Sequence, residues 1–149
     1  MRGDLTLEQA RAFGEFPLVW AGEHVDGLPL TAILRRNDTA VFVSFVYGDC
    51  RPPPSDGGCA PPVEIQVWPA ARRNLDSYGA SPGALVLEPT RIRGHPATYV
   101  GGRTRLEILT GPSTVVVFAD SSERLGAVVA ALRCLTGEAS GAHAGTLDC

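Results

Sequence analysis

Apolar and polar residues alternate along several short segments of the chain, and this period of two predicts β-strands. The alternation is clearest over residues 62–68 (PVEIQVW). Residues 40–47 are apolar at nearly every position, which favours a central strand covered on both faces. Residues 30–36 precede that segment across a turn signal at residues 37–39 (NDT), so the two segments are predicted to form a β-hairpin.

The second half of the chain has the pattern of an antiparallel meander. Residues 97–100, 103–109 and 114–120 are strand-like segments separated by a glycine pair and by a turn around Pro112. The segment before them, residues 84–94, contains a proline, which lacks the N–H that a strand ladder uses. We therefore expect that segment at a sheet edge or at a bulge.

Sequence patterns typical of helices occur before and between the predicted strands. Thr6 and Gln9 have the spacing of a capping box, which predicts a short helix that ends before Pro17. A short strand is expected over residues 16–20, followed by a loop over residues 21–29. A second helix is predicted from Pro69 to Gly79, since its apolar residues recur at helical spacing. These apolar residues are Ala71, Leu75 and Tyr78.

A third helix is predicted near the end of the chain, with Asp120 as its N-cap and Gly137 after its last turn. Its apolar stripe comprises Leu125, Val128, Val129, Leu132 and Leu135. Runs of strands with few helices indicate the α+β class, in which a single antiparallel sheet has a few helices packed on it. We expect one domain over residues 1–137 and a flexible tail over residues 138–149.

Composition narrows the class of protein further. The chain is 44% hydrophobic and 19% charged over 149 residues, which is typical of a globular domain. Its net charge of −3 gives no electrostatic reason to expect nucleic acid as a partner. No transmembrane segment is expected, because no stretch approaches the roughly 20 apolar residues that a bilayer requires. All thirteen basic residues are arginines, a bias that suggests a GC-rich genome.

Two cysteines, Cys50 and Cys59, enclose a proline-rich and glycine-rich segment between two predicted strands. Their spacing does not match a zinc site, and the nearby acids lack the register of a calcium loop, so no metal or cofactor is predicted. A disulfide across this loop would contribute about 2.5–3 kcal/mol to stability in the chain-entropy model. The alternative is a catalytic thiol, at Cys50 or Cys59, that uses His24 or His95 as its base.

Cys134 and Cys149 remain as the second pair. Four cysteines allow three connectivities, and sequence alone does not choose between them. We favour a Cys134–Cys149 bridge, because the small-residue face that carries Cys134 can receive the returning tail. The alternative is a packed Cys134 and a free terminal thiol at Cys149. Two disulfides would place the domain outside the cytoplasm, with its leader outside this sequence.

Two residue groups are candidate binding surfaces. The first is an arginine-rich outer sheet face that could bind an anion, or else form a solvated face paired with Glu88 and Glu107. It comprises Arg91, Arg93, Arg103 and Arg105. The second is an apolar pocket lined by aromatic side chains, which are otherwise expected in the core or at its rim. It comprises Trp20, Tyr47 and Trp68.

The chain also resembles a known group of proteins. The strings FPLVWAGEHVDGLPLT, YGDC…GGCAPPVEIQVWPAARRN and RGHPATYVGGRTRLEILTG resemble uncharacterised cell-envelope or secreted proteins of high-GC actinobacteria. That family often has a cysteine at the position of Ala71, which leaves the partner of Cys134 open. The C-terminal half, with RGHPA, VVVFAD and a helix, is similar to lipoprotein-carrier and anti-sigma-factor sensor domains. The resemblance implies an envelope location and no established activity.

The combined expectation is an extracytoplasmic binding or sensing domain that acts on an unknown envelope protein or small ligand. No P-loop, dinucleotide-binding or nucleophile-elbow motif is present, and no catalytic residue is assigned. Two alternatives stay open at this stage. One is a small hydrolase or thiol enzyme that uses Cys50 or Cys59 with His95. The other is a carrier that holds an apolar ligand between the sheet and the helices.

The cysteine prediction can be checked by alkylation and intact mass. If both disulfides form, the native protein takes up no alkylating reagent, and the reduced, unfolded protein takes up four groups. Modification of any cysteine before reduction would contradict the two-bridge arrangement.

Overall fold

The computed structural model describes residues 2–37, 39–49, 60–70, 86–136 and 145–149. Three predictions lie outside these ranges. They are the bridge between Cys50 and Cys59, the part from Ala71 onward of the helix predicted from Pro69 to Gly79, and the tail over residues 138–144. Pro69 itself is the last residue of a strand, so the predicted start of that helix was wrong.

The described residues form one nine-stranded sheet, a separate two-stranded sheet and two helices. The strands are β1 (Arg2–Gly3), β2 (Val19–Trp20), β3 (His24–Val25), β4 (Leu28–Asn37), β5 (Val41–Tyr47), β6 (Val63–Pro69), β7 (Leu87–Ile92), β8 (His95–Val100), β9 (Arg105–Leu109), β10 (Ser113–Ala119) and β11 (Arg133–Cys134). The helices are α1 (Leu7–Arg11) and α2 (Ser122–Ala131).

The strand order in the large sheet is β1-β4-β5-β6-β10-β9-β8-β7, and β3 pairs with β4 beside this path. The neighbouring strands are antiparallel except for β1, which runs parallel to β4. The predicted antiparallel sheet is thus confirmed, together with the β4–β5 hairpin and the β8–β9–β10 meander. The proline-containing strand β7 lies at the sheet edge, as its sequence predicts.

Strict alternation gives the sheet two different faces. The helix-side face packs against α2 and is apolar, with one buried cluster that also includes Leu125, Val128 and Leu132 of the helix segment. Sheet residues in this cluster are Val43, Phe45, Tyr47, Val63, Ile65, Val67, Leu106, Ile108, Val115 and Val117. On the opposite face, buried polar residues accompany apolar ones: Ser44, Glu107 and Thr114 are at most 2% exposed.

Both described helices begin at a side-chain cap. The predicted capping box of α1 is confirmed, since Thr6 and Gln9 exchange hydrogen bonds of 3.1 and 2.8 Å. The N-cap prediction for α2 was wrong by one residue, because Ser121 Oγ accepts the hydrogen bond from Arg124 N. Asp120 instead binds the Arg124 side chain.

Helix α2 ends earlier than its apolar stripe predicts. Leu132 adopts an extended ψ of 137°, and the chain continues as strand β11. Cys134 then pairs with Val19, and Leu135 N donates to Leu18 O at 2.9 Å. Leu135 is therefore buried from the residue after strand β11 rather than from a helix, because β2 and Leu18 satisfy the backbone there.

A tight hairpin replaces the loop predicted over residues 21–29. Strand β3 pairs with β4 across Asp26 and Gly27, which have φ values of 49° and 77°. Two successive left-handed residues are the signature of a type I′ turn, for which Asp-Gly is a favoured pair.

The last five residues lie against the domain. Cys149 forms a disulfide with Cys134, with the two Cα atoms 5.7 Å apart, so this predicted bridge is present. Leu147 is 1% exposed and belongs to the same buried cluster as Leu132 and Leu135. The tail is thus attached both covalently and by burial.

A substitution at Gly48, directly after β5, can test whether the backbone there requires glycine. The φ of Gly48 is 85°, and a Cβ there would lie 2.6 Å from Pro62 Cγ. We expect Gly48→Ala to lower the free energy of unfolding by about 2–4 kcal/mol, through the left-handed φ and the clash together. Gly27→Ala is the matched control, since Gly27 has a similar φ with open space around it, and should cost only about 1 kcal/mol. Equal losses in chemical denaturation would show that the contact with Pro62 is unimportant.

Candidate functional site

A cleft of about 550 Å³ opens at one end of the large sheet. It lies where β6 and β9 begin and where β8 and β10 end. Its lining residues are Ala60, Pro61, Pro62, Val100, Gly101, Thr104, Arg105, Phe118, Ala119 and Asp120. Most of this lining is apolar, and the charged groups are Arg105 and Asp120.

Backbone hydrogen bonds fix the walls of the cleft. Ala119 N donates to Thr104 O, and Asp120 N donates to Pro62 O, both at 3.0 Å. Gly101 N donates to Val86 O at 2.8 Å. The rim is consequently an extension of the strand ladder, and a rigid frame of this kind suits a preformed ligand site.

Arg105 is the best-oriented charged group in the cleft. Its Nη2 lies 2.7 Å from Glu107 Oε2, and the Glu107 side chain is fully buried. Its guanidinium also lies over the Phe118 ring, 5.3 Å from the centroid. Residues 105 and 107 share the opposite face of β9, and Phe118 is the cross-strand neighbour of Arg105. The arginine is therefore held in one orientation while its side chain stays 22% exposed.

Asp120 on the cleft rim takes part in a surface network. Arg124 Nη1 binds Asp120 at 2.7 Å, and Arg124 Nε binds Asp26 at 3.0 Å. The hydrogen bond to Asp26, with help from Asp120, raises the pKa of Arg124. This network joins the β3–β4 turn to the first turn of α2, and it holds the Asp120 carboxylate in place at the rim of the cleft.

Two arginines of the predicted face lie in strands and the other two lie in turns. Arg91 and Arg105 lie in strands β7 and β9, on the opposite face, whereas Arg93 and Arg103 lie in turns. Arg103 donates a hydrogen bond to Glu88, and this contact raises the pKa of Arg103. The Arg103 guanidinium also lies 5.0 Å from the Tyr99 ring centroid. The arrangement differs from the predicted face because two of the arginines are not strand residues at all.

Arg93 has a structural contact that the sequence did not reveal. It occupies the first position of an Arg93-Gly94 turn with a φ of 48°, where glycine or asparagine is usual. Its guanidinium donates to the carbonyl oxygens of Leu132, Val129 and Ala130 at the end of α2. Val129 O also accepts a 3.3 Å hydrogen bond from Leu132 N, but the last carbonyls of a helix lack the usual donor four residues on, so Arg93 caps α2 from the neighbouring hairpin.

The predicted aromatic pocket is likewise not formed as one group. Trp20 and Tyr47 are buried on the helix side, where the Trp20 ring lies 6.3 Å from that of Phe45. The Tyr47 hydroxyl accepts from Ala21 N and donates to Gly22 O, and its burial raises the pKa of Tyr47. Trp68 lies on the opposite face and stacks on Phe42, with 4.0 Å between centroids.

His95 binds an acid in the tail. Its Nε2 lies 2.8 Å from Asp148 Oδ1, and the imidazole is 16% exposed. Both cysteines proposed as its catalytic partners lie outside the described residues, so the thiol-enzyme alternative stays a prediction. No group of three or more metal-ligating side chains occurs among the residues that the structure describes.

Comparisons with known proteins add no assignment. No family model, curated protein or solved structure matches this chain. In the part of the chain that is described, no helix has the length and apolar character needed to cross a membrane. The resemblance to actinobacterial envelope proteins therefore stays a prediction.

Arg93 offers a test of its capping contact. Arg93→Asn keeps a residue that tolerates the left-handed φ and creates the favoured Asn-Gly turn. We nevertheless expect a loss of about 1 kcal/mol in the free energy of unfolding, because three helix-end carbonyls lose their hydrogen bonds to the guanidinium. Arg91→Asn on the same hairpin is the control, since it removes only the exposed hydrogen bond to Gly94 O and no contact with α2, and it should change stability by less than about 0.5 kcal/mol. An Arg93→Asn variant at least as stable as wild type would exclude the capping role.

Proposed function

We propose that this protein is an extracytoplasmic binding domain and that its ligand occupies the cleft between Pro62, Thr104 and Phe118. The ligand class that we infer is a small molecule with an apolar body and an anionic group. The observation that carries this proposal is the presence, in one cleft, of a pre-oriented guanidinium beside an aromatic ring.

The extracytoplasmic location is supported by the Cys134–Cys149 disulfide. Disulfides form and persist in oxidising compartments and are rare in reducing cytosol. The sequence-based expectation for Cys50 and Cys59 points the same way.

The size and lining of the cleft support a small ligand. A volume of about 550 Å³ lies within the roughly 300–1,000 Å³ range of small-molecule sites. The side chains of Val100, Phe118 and Pro62 supply apolar surface for the ligand body. This composition is the usual one for such sites, where apolar walls provide affinity and a few polar groups fix orientation.

Arg105 supports the anionic part of the ligand class. A guanidinium matches carboxylate, sulfonate or phosphate oxygens with paired hydrogen bonds. Because Glu107 and Phe118 already restrict Arg105, little side-chain entropy would be lost when a ligand binds. Glu107 also neutralises the arginine charge, so we expect recognition through directed hydrogen bonds rather than through long-range attraction.

The carrier alternative has less support from the packing. It requires room between the sheet and the helices for an apolar ligand. Side chains already fill that layer, and those of Leu18, Leu125 and Leu147 are at most 2% exposed. A ligand between sheet and helix would have to displace this core, whereas a ligand in the cleft displaces none of it.

The binding proposal can be tested with anilinonaphthalene sulfonate, a fluorescent probe that combines aromatic rings with an anionic group. We expect it to bind the native protein, and we expect Thr104→Trp to weaken binding several-fold by filling the cleft. Thr104 is exposed, so the substitution should leave the fold unchanged.

Leu109→Trp is the matched control, because Leu109 is also exposed and lies at the other end of β9. It should leave probe binding unchanged. If Thr104→Trp binds the probe as wild type does while far-UV circular dichroism shows both variants folded, the cleft is not the binding site.

A further inference from the structure

The final residues of the chain are attached to one corner of the domain by contacts that include a disulfide, a buried side chain and a polar contact. Cys149 is bonded to Cys134 of β11, Leu147 is buried in the apolar cluster, and Asp148 lies 2.8 Å from His95 of β8. Of these, only the disulfide is covalent. We propose that the Cys134–Cys149 disulfide is a redox-controlled latch, opened by a thiol that attacks Cys149.

The two cysteines of this disulfide differ in their exposure to solvent. Cys134 is 3% exposed and sits in strand β11, paired with Val19. Cys149 is less buried and belongs to a short segment that makes no strand pairing. Thiol–disulfide exchange requires a thiolate to reach one sulfur while the other departs. The geometry therefore selects Cys149 as the attacked sulfur and Cys134 as the leaving group.

The exchange balances with a dithiol as the co-reactant. The first thiolate forms a bond to Cys149 Sγ as the bond to Cys134 Sγ breaks, and Cys134 leaves as a thiolate that takes up a proton. The second thiol of the reductant then displaces Cys149, which also becomes a thiol. Two electrons and two protons pass to the protein, and the dithiol is oxidised to its own disulfide.

Reduction is expected to release the tail and to leave the rest of the fold in place. Cys134 stays anchored by the β2–β11 pairing and by the hydrogen bond from Leu135 N to Leu18 O. Among the described residues of the tail, the burial of Leu147, the contact of Asp148 with His95 and the contacts of Thr146 do not depend on the covalent bond. Local opening of a weakly attached segment does not require global unfolding. The open state would expose the site that Leu147 occupies and the imidazole of His95.

This latch is separate from the proposed ligand cleft. His95 begins β8 and Val100, which lines the cleft, ends it. Five residues of extended strand separate them by roughly 17 Å. Failure of either proposal would therefore leave the other standing.

Reduced glutathione can identify the attacked sulfur. The native protein is incubated with it, quenched with acid and digested with trypsin. Residues 134–149 contain no arginine or lysine, so both cysteines appear in one peptide, and fragmentation locates the adduct. We expect glutathione on Cys149. An adduct on Cys134, or no adduct at either cysteine, would overturn the proposal.

Opening is measured by hydrogen–deuterium exchange of the backbone amides of residues 145–149 in wild type and in Cys149→Ser, which cannot form the bridge. We expect exchange of this segment to be roughly tenfold faster in Cys149→Ser. Leu109→Ser, which keeps the bridge, is the control and should exchange at the wild-type rate. Near-UV circular dichroism of Cys149→Ser should match wild type. Equal exchange rates, or loss of the near-UV signal on breaking the bridge, would show a purely structural disulfide and not a latch.

Discussion

The pairing of β6 with β10 is the interaction on which the rest of this structure depends. Seven consecutive residue pairs, from Val63 opposite Ala119 to Pro69 opposite Ser113, join the N-terminal strands to the C-terminal meander. Because successive strand residues point to opposite faces, this register decides which side chains share a face across the whole sheet. It also brings Pro62 beside Asp120, so the wall of the cleft is a direct result of the pairing.

The buried polar residues of the opposite face explain why the cleft has an oriented arginine. The registers place Ser44, Gln66, Val116 and Glu107 in one row across four strands. A fully buried carboxylate at Glu107 is costly unless a cation and hydrogen bonds accompany it. Arg105 meets this requirement, and its next contact, the Phe118 ring, lies at the cleft. The fixed orientation of Arg105 in the cleft thus follows from the burial of Glu107, two residues further along β9.

Local sequence patterns were sufficient for the longer strands and insufficient for the short strands β3 and β11 and for the sites. Alternation and turn residues predicted the β4–β5 hairpin and the meander, because those contacts join neighbours in the chain. The Asp26-Gly27 turn was missed although its dipeptide is a strong hairpin signal. The cleft and the Arg93 cap join remote segments, and no local pattern encodes the register that brings them together. The early end of α2 was missed for the same reason, since β2 competes for its backbone.

Polar and covalent contacts hold the β7–β8 hairpin to the helix layer. This hairpin includes an edge strand, which has a neighbour on one side only and is the part of a sheet least supported by pairing. Its attachments are Arg93 to the end of α2 and His95 to Asp148, whose neighbour Cys149 is bonded to Cys134. The apolar cluster reaches this corner through Ala97, Leu132 and Leu147, while most of its members lie on the central strands. Polar and covalent contacts at an edge can be broken singly while a core persists, and the proposed latch depends on this property.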